Sequence, residues 1–298
     1  MFNLFKQFLI PLSHPYVADL RGSASGKTIL ITAGMDGDEY AGIEAAYTII
    51  QKYKDGNFNG RLIVIPIVNL AGFEAECSIN PLDQKFPKYT FPGTPTGSKT
   101  EQLLHWLLTT YAKEADCWVD LHGGALTESV PTPFVWLYET SISSINTTLK
   151  DWYLNEDTPV VVEKARKGWP AEVLARQNCA SVLTEAGGRG NQDGALQHGK
   201  WVESIMRHYA LLPTIPTPTR INTPSTYHHV ERVRAPYHGI FRPTHVGGDI
   251  HKDAPLGSYC NYNGSKEDVL RAPCDGVILW RKDTMAMRKG DTLVAIAH

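Results

Sequence analysis

The chain has 298 residues, 42% of them hydrophobic, and a net charge of -2. That is enough apolar material for one large domain or two smaller ones, and the charge excludes the basic footprint of a nucleic-acid binder. No apolar run approaches the roughly 18 residues of a membrane span. The five cysteines stand singly, with no Cys-x-x-Cys pair, so neither a disulfide framework nor a thiolate metal site is expected and a cytoplasmic setting is the simplest fit. The apolar N-terminus, Met1 to Leu12, carries Lys6 and Gln7 within the run and reads as a strand of the mature protein rather than a signal peptide.

The first clear element is Ile29 to Ala33, a short apolar run that reads as a buried strand. It breaks at Gly34 and Gly37, and Ile43, Ala46, Tyr47 and Ile50 follow at helical spacing. The loop between holds Asp36, Asp38 and Glu39. Acids favour a helix N-terminus, so a solvated acidic cap is one reading. A site at the strand's C-terminal end, where the mutual repulsion needs a cation or proton to offset it, is the other. Leu62 to Val68 is a second strand, which makes a βαβ unit. Residues 77–99 hold many prolines and little periodicity, and a loop of that length in a compact domain is expected to be functional. Ser98 or Thr100 can cap a helix through Leu103, Leu104, Leu107 and Leu108.

Cys117 to Leu121 reads as a strand, followed by His122-Gly-Gly124; Phe134 to Tyr138 is another, and residues 141–155 are helical. Ala180 to Thr184 is strand-like and meets Glu185-Ala-Gly-Gly-Arg-Gly190; a helix through Trp201, Ile205, Tyr209 and Leu212 follows. This alternation says α/β over residues 1–212, a mixed sheet flanked by helices. Residues 213–229 have the Pro/Thr composition of a linker, and residues 230–298 read as short strands and turns of a small all-β domain. Trp106, Trp118, Trp136 and Trp152 lie on apolar faces and are expected in the core.

Asp36, Glu39, His122 and Glu185 all follow core strands, and strand ends of one sheet converge on a single cleft. Two carboxylates and an imidazole are a legitimate set of ligands for a divalent metal, with a position left open for water. Glu185 then suits a general base. Asp120, two residues before His122, is expected to point away from it and to hold a neighbouring group.

Gly34-Met-Asp-Gly-Asp-Glu39, Asp120-Leu-His-Gly-Gly124 and Thr184-Glu-Ala-Gly-Gly188 together resemble the three signatures of the succinylglutamate desuccinylase/aspartoacylase family, a branch of the zinc carboxypeptidase-like fold. The resemblance covers nearly the whole chain and implies a C-terminal barrel-like β domain over residues 230–298. It also implies a metal-dependent hydrolase of a linear amide bond with a small molecule as substrate; no nucleic-acid or membrane partner is expected, given the charge and the lack of a long apolar run. Glu39 and His122 match zinc ligands and Glu185 matches the base. Asp36 stands where the family has a His, and its oxygen lies as many bonds from Cα as the imidazole Nδ1 does. The exchange leaves a formally neutral centre around Zn²⁺, less acidifying than an imidazole-rich one and better suited to Mn²⁺. In the substrate loop, Ser78 and Lys88-Tyr89 stand where the family presents an Arg and an Asn-Arg pair. A lysine offers a point charge where an arginine offers a fork. Lys88, Tyr89 and Arg189 are the substrate-binding candidates that remain. Two other readings stay open: a protein of the same fold that binds a carboxylated ligand without catalysis, and a carboxypeptidase or amidase acting on peptides.

Overall fold

The computed structural model describes residues 15–215, 224–244 and 247–298. The N-terminal apolar stretch and residues 216–223 of the expected linker lie outside them. In chain order the elements are β1 (Ala18–Arg21), β2 (Ala24–Ala33), α1 (Tyr40–Tyr53), β3 (Asn59–Ile65), α2 (Leu70–Glu74), α3 (Lys99–Thr110), β4 (Cys117–His122), β5 (Glu128–Glu139), α4 (Ser143–Tyr153), β6 (Val160–Lys164), α5 (Pro170–Ala175), β7 (Ala180–Gly188) and α6 (Ala195–His208). The remainder is β8 (Thr226–Tyr227), β9 (Val230–Arg234), β10 (Gly239–Pro243), β11 (Gly248–Ile250), β12 (Pro255–Cys260), β13 (Asp268–Arg271), β14 (Gly276–Lys282), β15 (Ala286–Met287) and β16 (Thr292–Ala297).

The large sheet runs β1-β3-β2-β4-β7-β5 and is mixed. β3, β2, β4 and β7 are parallel neighbours, while β1 and β5 close onto them antiparallel. Its strands are apolar on both faces because helices cover both. On one side Ile29, Ile31, Val119 and Val182 pack against α1, α4 and α6. On the other, Leu30, Ile63, Ile65 and Trp118 meet Leu104 and Leu107 of α3 and Leu174 of α5. Arg281 and Lys282 of β14 pair with Ser129 and Glu128 of β5, so β14, β16 and β9 continue the same sheet. A separate sheet, β13-β12-β10-β15, encloses its own core around Phe241, Leu256 and Leu293. Among the described residues no helix is long and apolar enough to cross a membrane.

The site is set by how closely α1 approaches β4. A Cβ added at Gly42 would lie 2.5 Å from the carbonyl oxygen of Leu121. Gly42→Ala must therefore push the start of α1 off the sheet, and with it Glu39, the residue before the helix. We expect a loss of about 1–3 kcal/mol in urea unfolding. Unchanged stability would mean that α1 does not pack this tightly on β4.

Candidate metal centre and its cleft

Asp36, Glu39 and His122 offer ligand atoms that all lie within 4.8 Å of one another. Asp36 and His122 are each 1% exposed and Glu39 6%. The turn after β2 delivers the two acids at the N-terminus of α1, where the helix dipole favours negative charge. The Glu39 Oε2 accepts from the Gly123 N–H at 3.1 Å and faces His122 Nδ1 at 2.9 Å.

Behind His122, Asp120 Oδ2 lies 2.9 Å from Nε2. This corrects the expectation that Asp120 points away. Side chains alternate along a strand, so residues two apart share a face. Asp120 is itself held: the Trp118 indole N–H donates to Thr32 Oγ1 at 2.6 Å, and the Thr32 hydroxyl donates to Asp120 Oδ1 at 2.5 Å. A carboxylate behind a histidine fixes its tautomer and orients the other nitrogen outward, here towards Glu39.

The strand β7 runs on to Gly188, so Glu185 is not beyond a strand end but within it, at the register position opposite His122. Both residues line a cleft of about 350 Å³. Burial pushes the Glu185 carboxyl up to about 7, against the pull of His122 and Lys88. Burial and Asp36 together hold Glu39 well above the usual carboxylate range. For His122, burial opposes the charge, but Asp120 and Glu39 outweigh it and raise the imidazole.

Lys88 reaches this cluster from the long loop. That loop is pinned at several points. Asp83 accepts from the backbone and hydroxyl of Thr100 at 2.8 and 2.7 Å, and Lys85 pairs with Glu101 at 2.9 Å. The 3₁₀ turn Pro87–Tyr89 then sets the Lys88 ammonium on Asp36 Oδ2. Burial opposes its charge, but Asp36 and Glu39 keep its pKa well above that of an ordinary lysine. Ser78 donates to Asp38 Oδ1 at 2.7 Å. Tyr89 is 78% exposed and sits at the cleft's edge.

Arg189 is not brought here. Its guanidinium pairs with Asp283 at 2.6 Å, and it is not part of the cleft wall. The partner comes from far along the chain, which is why its position in the motif misleads. Conversely, Trp118 and Trp136, expected only in the core, line the cleft, as do Tyr138, Trp169 and Arg232. Alternation along β4 and β5 could have placed the aromatics on the site's face; Arg232 gave no local signal.

The donor chemistry fits a divalent ion. Asp36 Oδ1 is buried without a hydrogen-bond partner, three ligand atoms converge, and a carboxylate backs the imidazole. The Lys88 ammonium on the other Asp36 oxygen offsets part of the charge that such an ion would meet.

A family model described as the succinylglutamate desuccinylase/aspartoacylase catalytic domain matches residues 25–209. The N-alpha-acetyl-L-2,4-diaminobutyric acid deacetylase of Halomonas elongata is 24% identical over 287 residues, 92% of this chain and 82% of that one. A succinylglutamate desuccinylase from a Silicibacter species superposes with a TM-score of 0.82 at 21% identity, covering 95% of this chain and 88% of the other. The product-bound ectoine utilization protein EutE (DoeB) of Ruegeria pomeroyi gives 0.82 at 20% identity over 94% and 88%. These likenesses establish the fold as a large mixed sheet flanked by helices. The chain belongs to the succinylglutamate desuccinylase/aspartoacylase family, whose members are hydrolases of carbon–nitrogen bonds in amides.

Proposed function

We propose that the protein is a metal-dependent deacylase of an N-acyl amino acid or a related small molecule. The observation that carries this is the convergence of Asp36, Glu39 and His122, with His122 and Glu185 together on the wall of one cleft. Those three residues would hold the ion, with Zn²⁺ expected and Mn²⁺ the alternative because of the aspartate. When bound, the ion acidifies water and polarises a carbonyl. Glu185 takes the proton of the attacking water and returns it to the leaving nitrogen. Asp120 keeps His122 in one orientation throughout, and Lys88, which lines the cleft, pairs with Asp36. Residues 1–212 form the catalytic region in this reading, and the β region from residue 230 contributes Arg232 to the cleft wall.

Dialysis against a strong chelator should abolish hydrolysis of the responsive N-acyl amino acid, and about one equivalent of zinc should restore it. A second reading draws on Lys88: its ammonium on Asp36 could stand permanently where a cation would, leaving a binding protein without catalysis. Freshly purified protein that takes up no metal in excess zinc would establish that reading and end the first.

A further inference from the structure

The floor of the cleft is a regular patch of sheet. His122 lies opposite Glu185, Asp120 opposite Leu183, and Trp118 opposite Ser181 on β4 and β7. On β5, Trp136 stands opposite Leu183, and Tyr138 follows two residues on, opposite Glu163 of β6. Because facing residues in paired strands share a side of the sheet, these form successive rows on one face. The row with His122 and Glu185 carries the polar groups and ends on β5 at Phe134, which is buried opposite Glu185. About 7 Å down the strands a mixed row holds Asp120, Leu183 and Trp136, and about 13 Å down Trp118 and Tyr138 flank Ser181, with Glu163 beside Tyr138.

The aromatic wall is built rather than incidental. Trp136 and Tyr138 stack at 6.4 Å and 23°, and Tyr138 meets Trp169 edge-on at 5.2 Å. Phe91 packs on Trp118 at 5.4 Å. All line the cleft. The Arg232 guanidinium lies 5.7 Å over the Trp136 ring. Among the described residues it has no carboxylate partner within ion-pair distance, and the residue is exposed. A compact acidic group would fill the polar row and leave the rings wet. An aromatic group would cover them, and a carboxylate at the Trp136 end would meet a free guanidinium fork.

We propose that the substrate is an amide bearing both an aromatic group and a carboxylate, the ring lying against Trp136, Tyr138 and Trp169 and the carboxylate on Arg232. This rests on the deacylase reading of the same site. Arg232, carried in by β9, thus supplies the fork that Ser78 and Lys88 do not.

The test pairs turnover with binding on the zinc-loaded full chain. N-acetyl-L-phenylalanine, N-acetyl-L-tryptophan and N-benzoylglycine should exceed N-acetyl-L-aspartate and N-succinyl-L-glutamate in kcat/KM by at least about tenfold. The best of them shows whether the ring belongs on the amine or the acyl side. Arg232→Met should lower the preference for N-acetyl-L-phenylalanine over its carboxamide roughly 10- to 100-fold, a change that mere misfolding would not produce. In calorimetry, 3-phenylpropionate, which has no amide, should bind and weaken by a similar factor in Arg232→Met. Binding of this kind with no amide hydrolysed would overturn the deacylase reading and keep the cleft assignment. Faster hydrolysis of the acidic amides, or indifference to Arg232→Met, would overturn the cleft assignment and leave the deacylase intact.

Discussion

Glu185→Gln should keep the fold and the divalent-ion content while lowering kcat by about 10²- to 10⁴-fold, the usual weight of a positioned acid–base group. The exchange is nearly isosteric, and Glu185 is not among the three clustered ligand residues, so neither packing nor metal uptake should change. What is lost is the ability to accept a proton. The site prepares for that role by burying the carboxyl, which raises it to about 7, close to a working pH. The base acts when deprotonated, so wild-type kcat/KM should fall as pH drops through its pKa, and a bound cation nearby moves that limb below 7. The Gln variant's residual activity should lack this limb. Turnover and elemental analysis on the same sample decide the matter: full activity in the variant would remove Glu185 from the mechanism, and loss of metal would make it a ligand instead.

The parts of this site that were legible in the chain are those made by local pattern. Ile29 to Ala33 and Cys117 to Leu121 are short apolar runs ending in polar groups, and the structure places them as adjacent parallel strands. Asp36, Glu39 and His122 then meet because neighbouring parallel strands end on the same edge of a sheet. The helix after Ser98 was legible for a similar reason, since Glu101 closes back on the Ser98 N–H at 2.8 Å. What remained hidden depends on distant partners. Arg189 looks like a site residue until Asp283 takes its guanidinium. Arg232 looks like a surface residue of a β region until β9, β16 and β14 carry it alongside β5. Lys88 reaches Asp36 only because Asp83 and Lys85 tie the loop to the start of α3, contacts that follow no period. Short elements also escaped: β6 and α5 supply Glu163 and Ala171 to the cleft, yet each is too brief to show a face.

Asp36→Ala should weaken zinc binding by roughly 10³-fold, about 4 kcal/mol, in competition with a chelator of known affinity. One of three ligands is lost, and with it the charge that makes two carboxylates and an imidazole attractive to a divalent ion. The same change frees Lys88. Its side chain is 30% exposed but burial already opposes the ammonium's charge, so losing the carboxylate should cost folding about 1–3 kcal/mol. Metal loss larger than the loss of stability is therefore the expected pattern. In the wild type the Lys88 ammonium opposes an incoming cation while partly neutralising Asp36, so Lys88→Met should tighten zinc by about tenfold. In the Asp36→Ala background the ammonium is no longer held at the ligand, and Lys88→Met should change zinc affinity by less than about threefold. A double-mutant cycle measures that difference directly. If Lys88→Met instead weakened zinc, the lysine would be organising Asp36 rather than offsetting it, and the exchange of an imidazole for a carboxylate at this position would have to be compensated elsewhere in the cleft.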